Sequence, residues 1–266
     1  MIEYSHNIQG LSLRNLRKIF QNPDGSKLAA VDNISMEVPP KGFFSILGPS
    51  GCGKTTILKL VAGLITPTSG EIWLNGQRVH SPGRERGLVF QTFTLFPWLT
   101  VQQNVAFGCK YLHLSSEKEK KRVEELLDLV GLTNSSDLFP SALSGGMQQR
   151  ATIARTLAAE PDVLLMDEPF GSLDTQTRAL MQEFLLDVWS RASKTVLFVT
   201  HDIEEAIFLS DVVSISSVRP ARIIFSEAIE LPRPRSFQIK TSSDFIRIRS
   251  EITDLVRTEA IKAMKQ

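Results

Sequence analysis

The residues from Gly48 to Thr56 have the types and spacing that bind a polyphosphate. They fit the pattern G-x-x-x-x-G-K-[ST] without a mismatch. The glycines carry no Cβ, so backbone N–H groups can turn inward around phosphate oxygens. Lys54 supplies a charge for the β- and γ-phosphates, and the Thr55 hydroxyl is suited to Mg²⁺. The candidate phosphate-binding residues are therefore Gly48, Pro49, Ser50, Gly51, Cys52, Gly53, Lys54, Thr55 and Thr56.

Two adjacent carboxylates follow the apolar run at 163–166. A carboxylate at the end of a buried strand can hold Mg²⁺ directly or through water, and we assign this role to Asp167. Glu168 is expected to point the other way, because side chains alternate in an extended chain. It could then deprotonate an attacking water, a contribution of typically about 10²–10⁴ in rate. Solvated acids at a strand end are the alternative reading.

A second candidate anion site begins at Ser144. This serine is placed as the N-cap of a helix, with Gly145 and Gly146 in the first turn. Such a helix start exposes backbone N–H groups at the positive end of the helix dipole. The composition does not indicate whose phosphate would bind there.

The elements that must position these residues follow from hydrophobic patterning. Continuous apolar runs predict buried strands, with helical patterns between them, and this alternation predicts a parallel sheet covered on both faces. The predicted buried strands lie at 43–47, 163–166 and 196–199. One predicted helix, 176–189, lies between the second and third of these strands, and another, 203–209, follows the third. Alternating patterns predict further strands at 11–16, 34–38 and 70–76. A helical insert is predicted from helices at 117–130, capped by Ser116, and 144–159.

The composition of the 266 residues limits the function classes. With 42% hydrophobic and 22% charged residues, the chain is typical of a globular protein with a substantial core. A net charge of +1 provides no strong field toward nucleic acid or anionic lipid. Cys52 lies inside the phosphate-binding segment, so a disulfide with Cys109 is not expected, in keeping with a reducing compartment. Met1–His6 lacks a signal-peptide pattern, and no apolar run reaches the about 18 residues of a membrane span.

The motifs together resemble the ATP-binding subunit of ATP-binding cassette (ABC) transporters over about residues 10–230. Leu143–Gln148 is similar to the signature sequence of that family, and 48–56 and 163–168 are similar to its two Walker motifs. Gln91 matches the Q-loop glutamine, and His201 matches the switch histidine. Asp174, in Ser172-Leu173-Asp174, matches the D-loop.

This resemblance implies a fold and further site residues. The implied fold is a P-loop NTPase (RecA-like) of the α/β class, with a parallel-sheet core, an antiparallel β subdomain and an inserted helical subdomain. The implied domains are 1–231, with the helical subdomain at about 92–160, and a C-terminal extension at 232–266 that carries an amphipathic helix. Gln91 would reach Mg²⁺ or the attacking water, His201 the γ-phosphate, and Phe20 the adenine, where the family usually has Tyr. Further nucleotide contacts are implied for Ser144, Gly145, Gly146, Gln148 and Asp174.

The resemblance also implies partners. Two such cassettes pair head to tail around ATP and Mg²⁺, and the alternatives for the second are another copy of this chain and a sister cassette. Two membrane-spanning permease subunits would dock at the apolar cluster Phe93–Trp98, part of which we expect to be exposed. Segments at 81–91, 95–105 and 219–223 resemble the nitrate, sulfonate, taurine and bicarbonate importers, so a periplasmic or extracellular solute-binding protein is implied. The implied location is the cytoplasmic face of the bacterial inner membrane, as a peripheral subunit that binds no nucleic acid.

Three other classes of ABC protein are alternatives to a transport ATPase. A soluble ABC ATPase of DNA repair would carry a long coiled-coil insertion between the Walker motifs, and this chain has none. A translation-type ABC protein would carry two cassettes. A non-hydrolysing regulatory protein would not need the candidate base Glu168. The transported solute cannot be read from this sequence.

Overall fold

The computed structural model describes residues 9–264, so Met1–His6 and the prediction that it forms no signal peptide lie outside the described part. No helix in the described part is long and apolar enough to cross a membrane. The strands are β1 Leu11–Gln21, β2 Lys27–Val38, β3 Phe43–Leu47, β4 Ser69–Leu74, β5 Gln77–Arg78, β6 Arg86–Val89, β7 Val163–Asp167, β8 Thr195–Thr200, β9 Val212–Ser216 and β10 Ile223–Ala228. The α-helices are α1 Lys54–Val61, α2 Val101–Cys109, α3 Ser116–Leu129, α4 Gly145–Ala158, α5 Thr175–Ala192, α6 Ile203–Leu209 and α7 Ser243–Met264.

The chain divides into two compact units, and the first comprises the residues up to Gly83 together with those from Thr195 onward. In this unit β3 pairs in parallel with β8 on one side and β9 on the other, and β10 pairs antiparallel with β9. Every residue of β3 and β8 is buried. This burial explains why their sequences are continuous apolar runs rather than alternating ones.

The first unit also contains an antiparallel sheet with the strand order β2-β1-β4-β5. The hairpin between β1 and β2 is longer than the sequence predicts, because pairing continues to Gln21 opposite Lys27. Register shifts between Leu13 and Ile19 interrupt the period-two pattern there, so alternation could not reveal the full strand. β4 ends in a turn at Asn75 and Gly76, which both have positive φ.

The C-terminal extension is anchored in the first unit by two arginines. Arg235 is buried and donates hydrogen bonds to the carbonyl oxygens of Ile207, Phe208 and Ser210 at the end of α6. Its other terminal nitrogen donates to the carbonyl oxygens of Ile229 and Leu231, just before the extension. Arg233 bonds the carboxylate of Asp211 with two nitrogens. The amphipathic helix α7 then packs against α6 and buries Phe245, Ile248 and Ile252.

The second unit is Arg84–Lys194. Its strands β6 and β7 pair in parallel, and α4 contacts α2, α3, α5 and β6. The predicted helices at 117–130 and 144–159 are confirmed as α3 and α4. The predicted cap of α3 is wrong by one residue, because the Ser115 side chain accepts the Lys118 N–H while Ser116 already belongs to the helix.

Candidate nucleotide-binding site

The phosphate-binding segment connects β3 to α1 in the first unit, and its backbone needs glycine. Gly51 has φ +76° and Gly53 has φ +123°, conformations that L side chains rarely adopt. A Cβ on Gly53 would lie 2.5 Å from the Ala30 carbonyl oxygen and 3.0 Å from Ala221 Cβ. Gly53 therefore lets the loop pass against β2 and enter α1, whose first N–H groups then face the loop.

Lys54 lies across this loop. Its side chain is only 4% exposed, and Nζ donates hydrogen bonds to the carbonyl oxygens of Gly48, at 2.7 Å, and Pro49, at 3.0 Å. These acceptors are neutral carbonyls, and a phosphate oxygen is a stronger acceptor for an ammonium group. The cradle of glycine backbone, helix start and lysine therefore fits a polyphosphate.

A loop at 217–222 braces the phosphate-binding segment. Arg219 donates two hydrogen bonds to the Gly51 carbonyl oxygen, from Nε at 3.1 Å and Nη2 at 2.7 Å. The backbone N–H of Ala221 donates to the Ala30 oxygen at 2.9 Å, which fixes the oxygen that faces Gly53. The sequence suggested only a subgroup likeness for this segment, and no local pattern indicated that Arg219 reaches the glycine loop.

His201 lies at the edge of the sheet where the phosphate-binding segment begins. It follows β8, and Thr200, the last residue of that strand, pairs in register with Leu47 of β3. The Gly48 N–H also donates to the Thr200 carbonyl oxygen at 3.3 Å. Phe20 is a half-buried residue of β1, with the Lys18 ammonium 5.0 Å from its ring centroid. Stacking of Phe20 on adenine remains a prediction.

The paired carboxylates lie in the second unit, and so does Gln91, which lies near Gly171. Asp167 is the buried last residue of β7. Glu168 has left the strand with φ +44°, so the alternation expected for an extended chain does not fix where its carboxylate points. The Glu168 carbonyl oxygen accepts the Gly171 N–H at 3.0 Å. The Gln91 Nε2 lies 3.5 Å from the position a Cβ on Gly171 would take.

The predicted Ser144 cap is confirmed, since its hydroxyl accepts the Met147 N–H at 3.3 Å. The two glycines that follow also serve packing. A Cβ on Gly145 would lie 3.1 Å from a Leu173 methyl group, and one on Gly146 would lie 3.1 Å from the Thr177 methyl group. The Gln148 amide donates to the Leu143 carbonyl oxygen at 3.2 Å. This helix start is thus held close to the residues around Asp174.

Asp174 caps α5. Its Oδ1 accepts the backbone N–H groups of Gln176 and Thr177 at 3.1 and 3.0 Å. Hydrogen bonds from Thr177, first from its side chain and then from its backbone, lower the pKa of the Asp174 carboxyl below its ordinary value. The carboxylate is fully ionised at neutral pH and remains at the surface.

The apolar cluster Phe93–Trp98 is partly exposed, as predicted: Leu95 is buried and Trp98 is 70% exposed. Asn104, which is fully buried, accepts the Phe96 N–H and donates to three carbonyl oxygens of this loop. Arg155 donates to the backbone and side-chain oxygens of Thr94, both at 2.6 Å. Burial lowers the pKa of the Arg155 guanidinium. The sequence did not identify Asn104 or Arg155 as residues that hold this loop. The one feature that could have indicated them is a polar residue on an otherwise apolar face of a helix.

Comparison with known proteins identifies the family. A family model described as ABC transporter matches residues 31–171. The nitrate import ATP-binding protein of Synechocystis sp. is 46% identical over 263 residues, covering 94% of this chain and 98% of the relative. This chain belongs to the ABC transporter family. The taurine import ATP-binding protein of Roseobacter denitrificans is 46% identical to this ABC chain, covering 80% of each. The aliphatic sulfonates import ATP-binding protein of Bacillus subtilis is 42% identical, covering 90% of this chain and 92% of the relative.

Solved ABC cassettes have the same fold. A dimeric cassette in a post-hydrolysis state, bound to ADP and Pi, matches with a TM-score of 0.72 and 30% identity. The match covers 84% of this chain and all of that one. A Clostridium perfringens protein described as part of an ABC transporter complex matches with a TM-score of 0.76 and 25% identity, covering 94% and 98%. The predicted P-loop NTPase fold class is confirmed, and so is the family resemblance.

Proposed function

We propose that this ABC chain is the ATP-hydrolysing subunit of a membrane importer for solutes like nitrate, sulfonates, taurine or bicarbonate. The observation that carries ATP binding is the loop at 48–56, where Gly53 fits only without a Cβ and Lys54 lies across neutral carbonyls. The solute class is supported by the names of the relatives, which are nitrate, taurine and sulfonate import proteins. Those names do not favour the alternative of a DNA-repair or regulatory ATPase.

Each candidate residue has a role in this proposal. The loop amides and Lys54 bind the phosphates and orient the γ-phosphate. Thr55, Asp167 and Gln91 would hold Mg²⁺, which neutralises charge on the β- and γ-phosphates when bound. Glu168 accepts a proton from the attacking water, and His201 hydrogen-bonds a γ-phosphate oxygen. Phe20 offers a ring face to the adenine.

A second ABC ATPase subunit completes the site in this proposal. Its Ser144, Gly145, Gly146, Gln148 and Asp174 would contact the nucleotide held by the Lys54 loop of the first subunit. The support is a solved cassette that is dimeric and bound to ADP and Pi. ATP then bridges the two subunits, and loss of the γ-phosphate contacts on hydrolysis lets the pair open.

Permease subunits take the mechanical output. We place their docking site at the Phe93–Trp98 cluster, because Trp98 is exposed and the buried Asn104 fixes the backbone on either side of it, at Phe96 and Leu99, which gives an apolar surface suited to a partner. The chain would then work as a peripheral subunit at the inner face of the membrane. A solute-binding protein outside the membrane would deliver the solute to the permease.

Substituting Glu168 with Gln tests the catalytic assignment. The amide keeps the size of the side chain but cannot accept the proton, so turnover should fall by about 10²–10⁴ while ATP binding is retained. Phosphate release measures turnover, and size-exclusion chromatography with ATP and Mg²⁺ should show an accumulated dimer. Glu124→Gln, on the exposed face of α3, is the matched control. Full turnover in Glu168→Gln would remove Glu168 from its role, and absence of ATP binding in the unsubstituted chain would refute the proposed function.

A further inference from the structure

A buried carboxylate is hydrogen-bonded to the residue that precedes His201. Glu205, in the first turn of α6, is only 4% exposed. Thr200, the residue before His201, is 1% exposed, and its hydroxyl donates a hydrogen bond to Glu205 Oε2. Placing a carboxylate in the protein interior carries a large desolvation cost before its hydrogen bonds are counted. The start of α6 recovers part of this cost through the helix dipole, but an apolar side chain would need no such compensation.

The hydrogen bonds around this carboxylate have a fixed direction. The Asp202 N–H donates to the Thr200 hydroxyl oxygen at 3.0 Å. An amide N–H can only donate, so the single proton of that hydroxyl is left for Glu205. Asp202 in turn accepts the Glu205 N–H at 3.0 Å. A closed ring of hydrogen bonds therefore joins Thr200, Asp202 and Glu205. His201 lies between the first two of these residues in the chain, so the ring fixes the backbone on both sides of it.

This ring is also connected to the phosphate-binding segment. The Thr200 carbonyl oxygen accepts the Gly48 N–H, the first amide of that segment, at 3.3 Å. Thr200 is thus held by Glu205 through its side chain and by the glycine loop through its backbone. A shift of Thr200 would move both His201 and the entry of the loop.

We propose that Glu205 is a positioning residue for ATP hydrolysis, which holds His201 in register with the phosphate-binding segment through the Thr200 hydroxyl. This inference rests on the proposed function, since it assumes that His201 contacts the γ-phosphate. Glu205 itself touches no nucleotide in this scheme. It acts on the rate of the chemical step, and the affinity for ATP is set by the loop at 48–56.

The first experiment compares single variants in the complete chain. Glu205→Gln retains the size but weakens the acceptor, and Thr200→Val removes the connecting hydroxyl. Both should lower kcat about 10-fold, the loss expected for one hydrogen bond to a charged group, and leave the dissociation constant for ATP within about twofold. Thr200→Ser retains the hydroxyl and should keep the rate. The matched control is Glu204→Gln, in the same turn of α6, where the half-buried carboxylate pairs with Arg249 at 2.7 Å.

A double-mutant cycle separates positioning from general stability. If Glu205 acts through His201, Glu205→Gln should lower kcat no further in a His201→Ala background. Additive losses, or equal losses in kcat and ATP affinity, would overturn the inference and indicate a structural role only. Unchanged kcat in both Glu205→Gln and Thr200→Val, beside a large loss in His201→Ala, would also overturn it while leaving the proposed function intact. An unsubstituted chain without ATPase activity would refute the proposed function, and this inference with it. Thermal unfolding of each variant, with ATP binding, confirms that the compared chains are folded.

Discussion

Substituting Gly53 with Ala tests the geometry of the phosphate-binding segment most directly. The added Cβ would lie 2.5 Å from the Ala30 carbonyl oxygen, closer than real Cβ atoms come to any neighbour. That oxygen cannot simply move aside, because it accepts the Ala221 N–H at 2.9 Å. The loop itself must therefore shift, and with it the amides on either side of Gly53.

The expected magnitude has two parts. A non-glycine residue at φ +123° costs about 1–3 kcal/mol in backbone strain. Forcing an extra carbon into a packed contact costs about 1–3 kcal/mol more. If 2 kcal/mol of this total destabilises the nucleotide-bound conformation relative to the free one, the dissociation constant for ATP rises about 30-fold. We therefore expect at least that loss of affinity, together with a lower unfolding temperature.

Isothermal titration with ATP and Mg²⁺ measures the affinity, and thermal unfolding measures the stability. Gly25→Ala is the control, because Gly25 also has a positive φ, +82°, but a Cβ there would meet no atom within 4 Å. This control should lose about 1 kcal/mol of stability from strain alone and bind ATP normally. Normal ATP affinity in Gly53→Ala would refute the reasoning that close contact with β2 shapes the loop.

Three further substitutions probe other parts of the molecule. Trp98→Ala should weaken co-purification with the permease and spare ATP binding; normal assembly with lost ATP binding would contradict it. Arg235→Ala should lower the free energy of unfolding by about 3–5 kcal/mol in urea titrations, since it strips five carbonyl oxygens of a buried donor. Burial lowers the pKa of Arg235 to about 10, so the guanidinium is still charged at neutral pH, and an unchanged urea midpoint would disprove the anchoring role. Arg219→Gln should weaken ATP binding about 10-fold, because the Gly51 carbonyl loses its hydrogen bonds from the guanidinium. The control Arg222→Gln loses only a pair with Asp32 and should keep the ATP affinity. Equal losses of affinity in the two variants would refute the idea that Arg219 supports the phosphate-binding segment.

The sequence by itself determined the elements and the chemical types at the site. The loop at 48–56 is a contiguous pattern, preceded by a continuous apolar run typical of a buried strand and followed by a helical pattern. The same holds for the Ser144 cap, whose acceptor and donor are three residues apart. Such features depend on neighbours along the chain, so patterning alone predicts them.

The hydrophobic pattern did not predict some local details, because they depend on irregularities of the backbone conformation. The hairpin between β1 and β2 is longer than its alternation suggests, since register shifts break the period of two. Glu168 leaves the strand one residue after Asp167, so alternation no longer fixes its direction. In both cases backbone irregularities reset the side-chain phase, so alternation along the sequence no longer predicts which way a side chain points.

Only the tertiary structure decided which distant residues hold the site in place. Gly53 must be glycine because β2 and the 217–222 loop pass beside it, and Arg219 reaches Gly51 across 168 positions of sequence. Asn104, Arg155 and Arg235 resemble ordinary polar residues until the carbonyl groups they satisfy are brought to them. Their roles depend on desolvation and on long-range hydrogen bonds, and both come into being only when the strands and helices pack.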